Sequence, residues 1–218
     1  MKTDTQLQRD VIDELRWDAA ARGAEIGVAA KEGVVTLSGQ VPTYMQKYSA
    51  VKAAEKVIGV TVVADDIEVK FSSDVRRSDT EIAHAASEAL RSDIQVPDAV
   101  VKARVDNGWI TLDGETEWNY QRASAERAVR NLAGVKGVTN LIAIKPKLPS
   151  TAEVSRKIKD AIRRAAESDA DHIIVDAIDG QVTLRGKVRT WSERKDAENA
   201  AWSAPGVREV VDHITIGI

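Results

Sequence analysis

Asp106-Asn107-Gly108-Trp109-Ile110-Thr111-Leu112-Asp113-Gly114 decides the fold, because it reads as a two-residue turn feeding a short strand and then occurs twice more. The copies are Lys31-Glu32-Gly33-Val34-Val35-Thr36-Leu37-Ser38-Gly39 and Ile178-Asp179-Gly180-Gln181-Val182-Thr183-Leu184-Arg185-Gly186. Asn-Gly or Asp-Gly between apolar runs is a strong hairpin signal, since a type I′ turn needs positive φ at both central residues. Each copy therefore marks the middle of a β-hairpin. Gly33, Gly108 and Gly180 are followed in register by Gly39, Gly114 and Gly186, and then by Gly59, Gly134 and Gly206. The spacing between copies, 75 and then 72 residues, exceeds that of a solenoid repeat, so each unit is expected to be a small domain with its own core. The units are placed at residues 1–70, 77–145 and 149–218.

Outward from the hairpins, each unit begins with a capping box: Thr3 with Gln6, Ser78 with Glu81, and Ser150 with Glu153. In that motif a hydroxyl and a Glu or Gln satisfy opposite orphan donors of a helix start. Leu7, Val11 and Leu15 align with Ile82, Ala86 and Leu90 and with Val154, Ile158 and Ile162, one apolar helical face in each copy. Alternating strands follow, with Val35 and Leu37, Ile110 and Leu112, and Val182 and Leu184 predicted to face the core. A second helix is expected over about 43–57, 118–132 and 191–203. Its small residues Ala50, Ala125, Ala197 and Ala53, Ala128, Ala200 let it lie close to a sheet. Gly59, Gly134 and Gly206 stand where a helix C-cap glycine is expected. A third strand carries Val63, Ile67 and Val69, then Val138, Ile142 and Ile144, then Val210, Ile214 and Ile216. The order in every unit is α-β-β-α-β, an α+β class.

This pattern of capped helix, (Asn/Asp)-Gly-x-(Val/Ile)-Thr-Leu-x-Gly, Ala-rich helix and Gly-Val-x-x-Val-x-(Asp/Asn)-x-Ile-x-(Val/Ile) resembles the BON domain (bacterial OsmY and nodulation). The resemblance covers essentially the whole chain as three tandem copies, most like the cytoplasmic three-copy members. Glu32 replaces the usual Asn or Asp before the first turn glycine, and Gly137 adds a flexible residue to the third strand of copy two. The resemblance implies a three-stranded mixed sheet with both helices on one face. It also implies a non-enzymatic role in osmotic or envelope stress, with phospholipid or other envelope material, potassium binding or chaperoning as the proposed activities. No catalytic motif transfers with it.

Composition narrows the classes of function. The 218 residues are 43% hydrophobic and 30% charged, with no cysteine, which removes thiol nucleophiles, disulfides and zinc ribbons. Residues 1–74, 75–147 and 148–218 carry net charges of −3, +1 and −1, too even for a nucleic-acid footprint. No apolar leader or spanning segment opens the sequence, so a cytoplasmic protein is expected. His84, His172 and His213 hold unrelated frame positions, no His-x-x-x-His pair exists, and the one Glu-x-x-His spacing, Glu81 with His84, has no further ligand set beside it in sequence. No metal, cofactor or enzymatic function is therefore expected. A potassium ion held by turn carbonyls would leave no side-chain signature.

Two constellations carry functional expectations. At the start of the second helix, Tyr44 with Lys47, Trp118 with Arg122, and Trp191 with Arg194 place an aromatic ring and a cation within one turn. Such a pair suits a lipid phosphate with a ring at headgroup depth. The plainer alternative, a ring packed over the hairpin end and a solvated cation, is preferred. The second constellation is the sheet face left bare by the helices. In copies two and three it includes Trp109, Leu141, Ile174, Ile178 and Val211, an apolar patch expected to bury between copies two and three or between protomers.

Overall fold

A computed structural model of the chain describes residues 2–19, 25–71, 77–97, 100–146 and 173–217. The three hairpins form as the turn residues dictate. Glu32 and Gly33 have φ of 50° and 82°, Asn107 and Gly108 51° and 82°, and Asp179 and Gly180 46° and 81°. The hairpins are β1 (Glu25–Lys31) with β2 (Val34–Val41), β4 (Val101–Asp106) with β5 (Trp109–Thr116), and β8 (Ile173–Ile178) with β9 (Gln181–Val188). Each pair is antiparallel.

The second strand of each hairpin then pairs in parallel with a later one, and a parallel connection needs a crossover. That crossover is the second helix: α2 (Tyr44–Lys56) leads to β3 (Val62–Val69) in the first unit. In the second unit α4 (Asn119–Arg130) leads to β6 (Gly137–Asn140) and β7 (Ala143–Ile144). In the third, α5 (Trp191–Trp202) leads to β10 (Glu209–Ile216). The sheets run β1-β2-β3, β4-β5-β6 with β7 beside β5, and β8-β9-β10.

The first helices are α1 (Asp4–Trp17) and α3 (Asp79–Ser92), both opened by the predicted capping boxes. Their buried residues are Leu7, Val11 and Leu15, and Ile82, Ala86 and Leu90. The first helix expected in unit three, with its Ser150–Glu153 box and its Val154, Ile158, Ile162 stripe, lies outside the described residues, as does His172. Leu37, Leu112 and Leu184 are fully enclosed at the same place in each core, each stabilising its unit by about 2 to 3 kcal/mol.

Units one and two share a further contact between the helix start and the hairpin turn. Asp4 Oδ1 accepts the Glu32 N–H at 2.9 Å, and Asp79 accepts the N–H groups of Asn107 and Gly108 at 2.7 and 2.8 Å. A first-turn carboxylate thus favours the helix dipole and clamps the turn together.

The helix ends and the third strand of unit two depart from expectation. The helices α2, α4 and α5 are capped by Val57, Asn131 and Ser203, so Gly59, Gly134 and Gly206, with φ of 101°, 87° and 82°, close the following turn instead of the helix. Gly114 lies within β5, where a Cβ would stand 2.1 Å from the Val100 carbonyl oxygen. The third strand of unit two is split into β6 and β7 at Leu141 and Ile142.

Candidate functional site

The helix starts singled out in the sequence turn out to be joints between units. Tyr44, first residue of α2, packs against the core of the second unit. Burial raises the pKa of its hydroxyl, opposed by a backbone hydrogen bond from Val138 of that unit. One turn on, the Arg130 guanidinium of unit two lies 4.0 Å from the Tyr48 ring centroid. Trp191, first residue of α5, packs against the core of unit one, and its Nε1–H donates to the Thr61 carbonyl at 2.9 Å.

The second unit meets the third differently. The Arg122 guanidinium lies 4.9 Å from the Trp202 ring centroid, and Ile144 is buried in the core of unit three. Burial lowers the Arg122 pKa, while Glu198 and Glu126 raise it. Unit one therefore reaches into two, two into three, and three back into one.

Trp118 does not share the frame of the other two aromatics. Counted from the turn glycines, the place of Tyr44 and Trp191 belongs to Asn119, and Trp118 is the N-cap residue in line with Thr43 and Thr190. The Asn119 Oδ1 is buried without a hydrogen-bond partner.

The predicted cations are engaged within the protein. Lys47 Nζ sits 3.1 Å from Asp65 Oδ2 and donates to the Ile67 carbonyl at 2.6 Å. Arg194 Nε sits 2.6 Å from Asp212 Oδ2, and its guanidinium stacks 4.9 Å from the ring centroid of Trp191. In unit two the acid's place is taken by Asn140, which donates to the Arg122 carbonyl at 3.0 Å, leaving the Arg122 side chain for Trp202. The solvated cation of the plainer alternative is thus not what the structure holds. Asp65, Asn140 and Asp212 were the signal for this pairing, at one frame position on the neighbouring strand.

The bare sheet faces remain open. Trp109, Leu141, Ile174 and Ile178 are 46%, 57%, 64% and 72% exposed, and Val211 is half-buried. The expected burial of these residues between copies two and three does not occur, because the units meet through their second helices and turn these faces outward. Trp109 lies across Gly137, where a Cβ would come within 2.4 Å of the ring, and its Nε1–H donates to Thr139 Oγ1 at 2.8 Å. Gly137 thus serves as a seat for an indole.

Among the described residues no cluster of three His, Asp or Glu side chains could hold a metal, and no helix is long and apolar enough to cross a membrane. Matching against known families aligns the BON domain with residues 3–70, 78–146 and 150–218. The chain belongs to the BON domain family. It is 32% identical over 123 residues to osmotically-inducible protein Y of Escherichia coli (strain K12), covering 55% of this chain and 61% of that protein. It is 32% identical over 146 residues to the 21 kDa hemolysin of Actinobacillus pleuropneumoniae, covering 63% of this chain and 75% of that one. The C-terminal domain of CdsD, the structural protein of the Type III secretion system of Chlamydia trachomatis, aligns over the full length of both chains at a TM-score of 0.27 and 12% identity, a likeness that carries no argument. As a three-copy BON protein, the chain has the α+β mini-domains that its repeats predict.

Proposed function

We propose that this BON protein is a non-enzymatic binding module of osmotic or envelope stress physiology that acts through its outward sheet faces, holding apolar segments of other polypeptides. The observation that carries this reading is the exposure of Trp109, Leu141, Ile174 and Ile178 on those faces, while Lys47, Arg122 and Arg194 are occupied within the fold. Apolar residues gathered on the outside of an otherwise finished domain mark an interaction surface. Contact with an anionic headgroup through the cations would first require them to give up their present partners.

The test is suppression of light scattering by reduced insulin B chain, comparing the intact protein with Ile174→Asp and Ile178→Asp, both at strongly exposed positions. Suppression by the intact chain, weakened several-fold by either substitution at unchanged thermal stability, is the expected result. Equal suppression by all three proteins, or none by any, refutes the reading. Co-sedimentation with anionic vesicles that is lost on alanine substitution of Lys47, Arg122 and Arg194 would return the function to lipid headgroups.

A further inference from the structure

Thr61, Lys136 and Arg208 hold one place in the three units, just before the third strand. Each donates its backbone N–H to the carbonyl of its own turn glycine, Thr61 to Gly33 at 2.8 Å, Lys136 to Gly108 at 2.9 Å and Arg208 to Gly180 at 2.8 Å. The side chains differ in reach. Lys136 Cγ and Cδ stand 3.3 and 3.5 Å from where a Gly108 Cβ would be, and Arg208 Nε and Cγ stand 3.0 and 3.5 Å from the equivalent point at Gly180. The Arg208 Nη2 also donates to the Asp179 carbonyl. In units two and three, then, a long cationic side chain lies across the turn glycine.

In unit one the short Thr61 side chain covers only the glycine itself, its Oγ1 and Cγ2 standing 2.8 and 3.2 Å from where a Gly33 Cβ would be, and a cavity of about 310 Å³ opens beside it. Its lining from unit one includes Leu7, Glu32, Gly33 and Gly59, and unit three closes it with Arg189 and Ile216. The volume is at the lower end for small-molecule clefts, and an apolar wall with a few polar groups is the usual composition of such a site. Its charges favour a cationic guest. Lys2, also in the lining, is 2.5 Å from Asp10, and Arg189 is 3.5 Å from Glu193, whereas the exposed Glu32 carboxylate makes no hydrogen bond or ion pair among the described residues.

We propose that this cavity binds a small organic cation, an alkylguanidinium or alkylammonium, with its stem beyond Thr61 along Leu7 and Gly59 and its head at Glu32. The guest supplies the reach beyond the turn glycine that Arg208 has in unit three and Thr61 lacks in unit one. This site is separate from the outward sheet faces and does not depend on what they bind.

Trp191 offers the readout, because its Nε1–H donates to the Thr61 carbonyl at the cavity wall. The intact protein is titrated with n-butylguanidinium, with guanidinium and with butanoate at matched ionic strength, following the indole N–H resonance of Trp191 by NMR. A saturable shift with n-butylguanidinium, at least tenfold weaker with guanidinium and absent with butanoate, is expected. Thr61→Arg fills the cavity from within and is expected to weaken binding at least tenfold. Glu32→Gln, at an exposed position, is expected to weaken it several-fold and decides the matter if Thr61→Arg does not fold. Absence of a saturable shift, undiminished binding by folded Thr61→Arg or by Glu32→Gln, or butanoate binding as tightly as n-butylguanidinium overturns the proposal.

Discussion

Removing the indole of Trp191 should unfasten the third unit from the first. A tryptophan side chain buries 150 to 250 Å² when enclosed, and Trp191 is half-buried against the core of unit one. Taking roughly 100 Å² at about 25 cal/mol per Å² gives about 2.5 kcal/mol for the apolar part. Loss of its hydrogen bond to the Thr61 carbonyl, 2.9 Å long, adds about 1 kcal/mol. Trp191→Ala should therefore cost about 3.5 kcal/mol and Trp191→Phe about 1 kcal/mol, since phenylalanine keeps much of the apolar contact. Trp17→Ala is the control, because Trp17 is 81% exposed and its loss should fall within about 0.5 kcal/mol. Urea denaturation followed by circular dichroism measures all three, with amide hydrogen exchange at Thr61 and Val62 reporting the joint itself. If Trp191→Ala matched Trp17→Ala in both readouts, the joint would contribute nothing and the account of three mutually fastened units would fail.

Gly137→Ala should expel the Trp109 ring from its seat, since the new methyl would stand 2.4 Å from it. A loss of about 1 to 2 kcal/mol with a red-shifted tryptophan emission is expected, and an unshifted spectrum would contradict the seating. Tyr44 gives the protein an alkaline limit. Burial raises its pKa above the ordinary 10.0, so the folded state favours the neutral phenol. The stability tied to that proton is complete below pH 10 and is lost as pH rises through the raised value. Tyr44→Phe should flatten the alkaline limb of a melting-temperature profile, and an unchanged limb would assign it to other groups.

Much of the fold is legible in local chemistry. The Asn107-Gly108 and Asp179-Gly180 pairs announce their turns, and Glu32 follows them because Gly33 and the shared register carry the same geometry. Thr3 and Ser78 announce their helix starts through their own capping boxes. The candidate site is less legible. Tyr44 and Trp191 stand out as aromatics beside a cation, but nothing near them in sequence says that they reach into another unit. Trp118 resembles them in local composition while occupying the N-cap position, so proximity to Arg122 was a poorer guide than distance from Gly108.

The sequence by itself determined three α-β-β-α-β units, their turns, their cores and the absence of familiar catalytic and metal motifs, because turns, caps and periodicity act over a few neighbouring residues. Only the tertiary structure decided that Lys47 and Arg194 face Asp65 and Asp212, that Trp191 enters unit one, and that Ile174 and Ile178 stay outside. Those outcomes rest on which helix faces meet between units. That is a competition among surfaces far apart in the chain, and no local pattern ranks it.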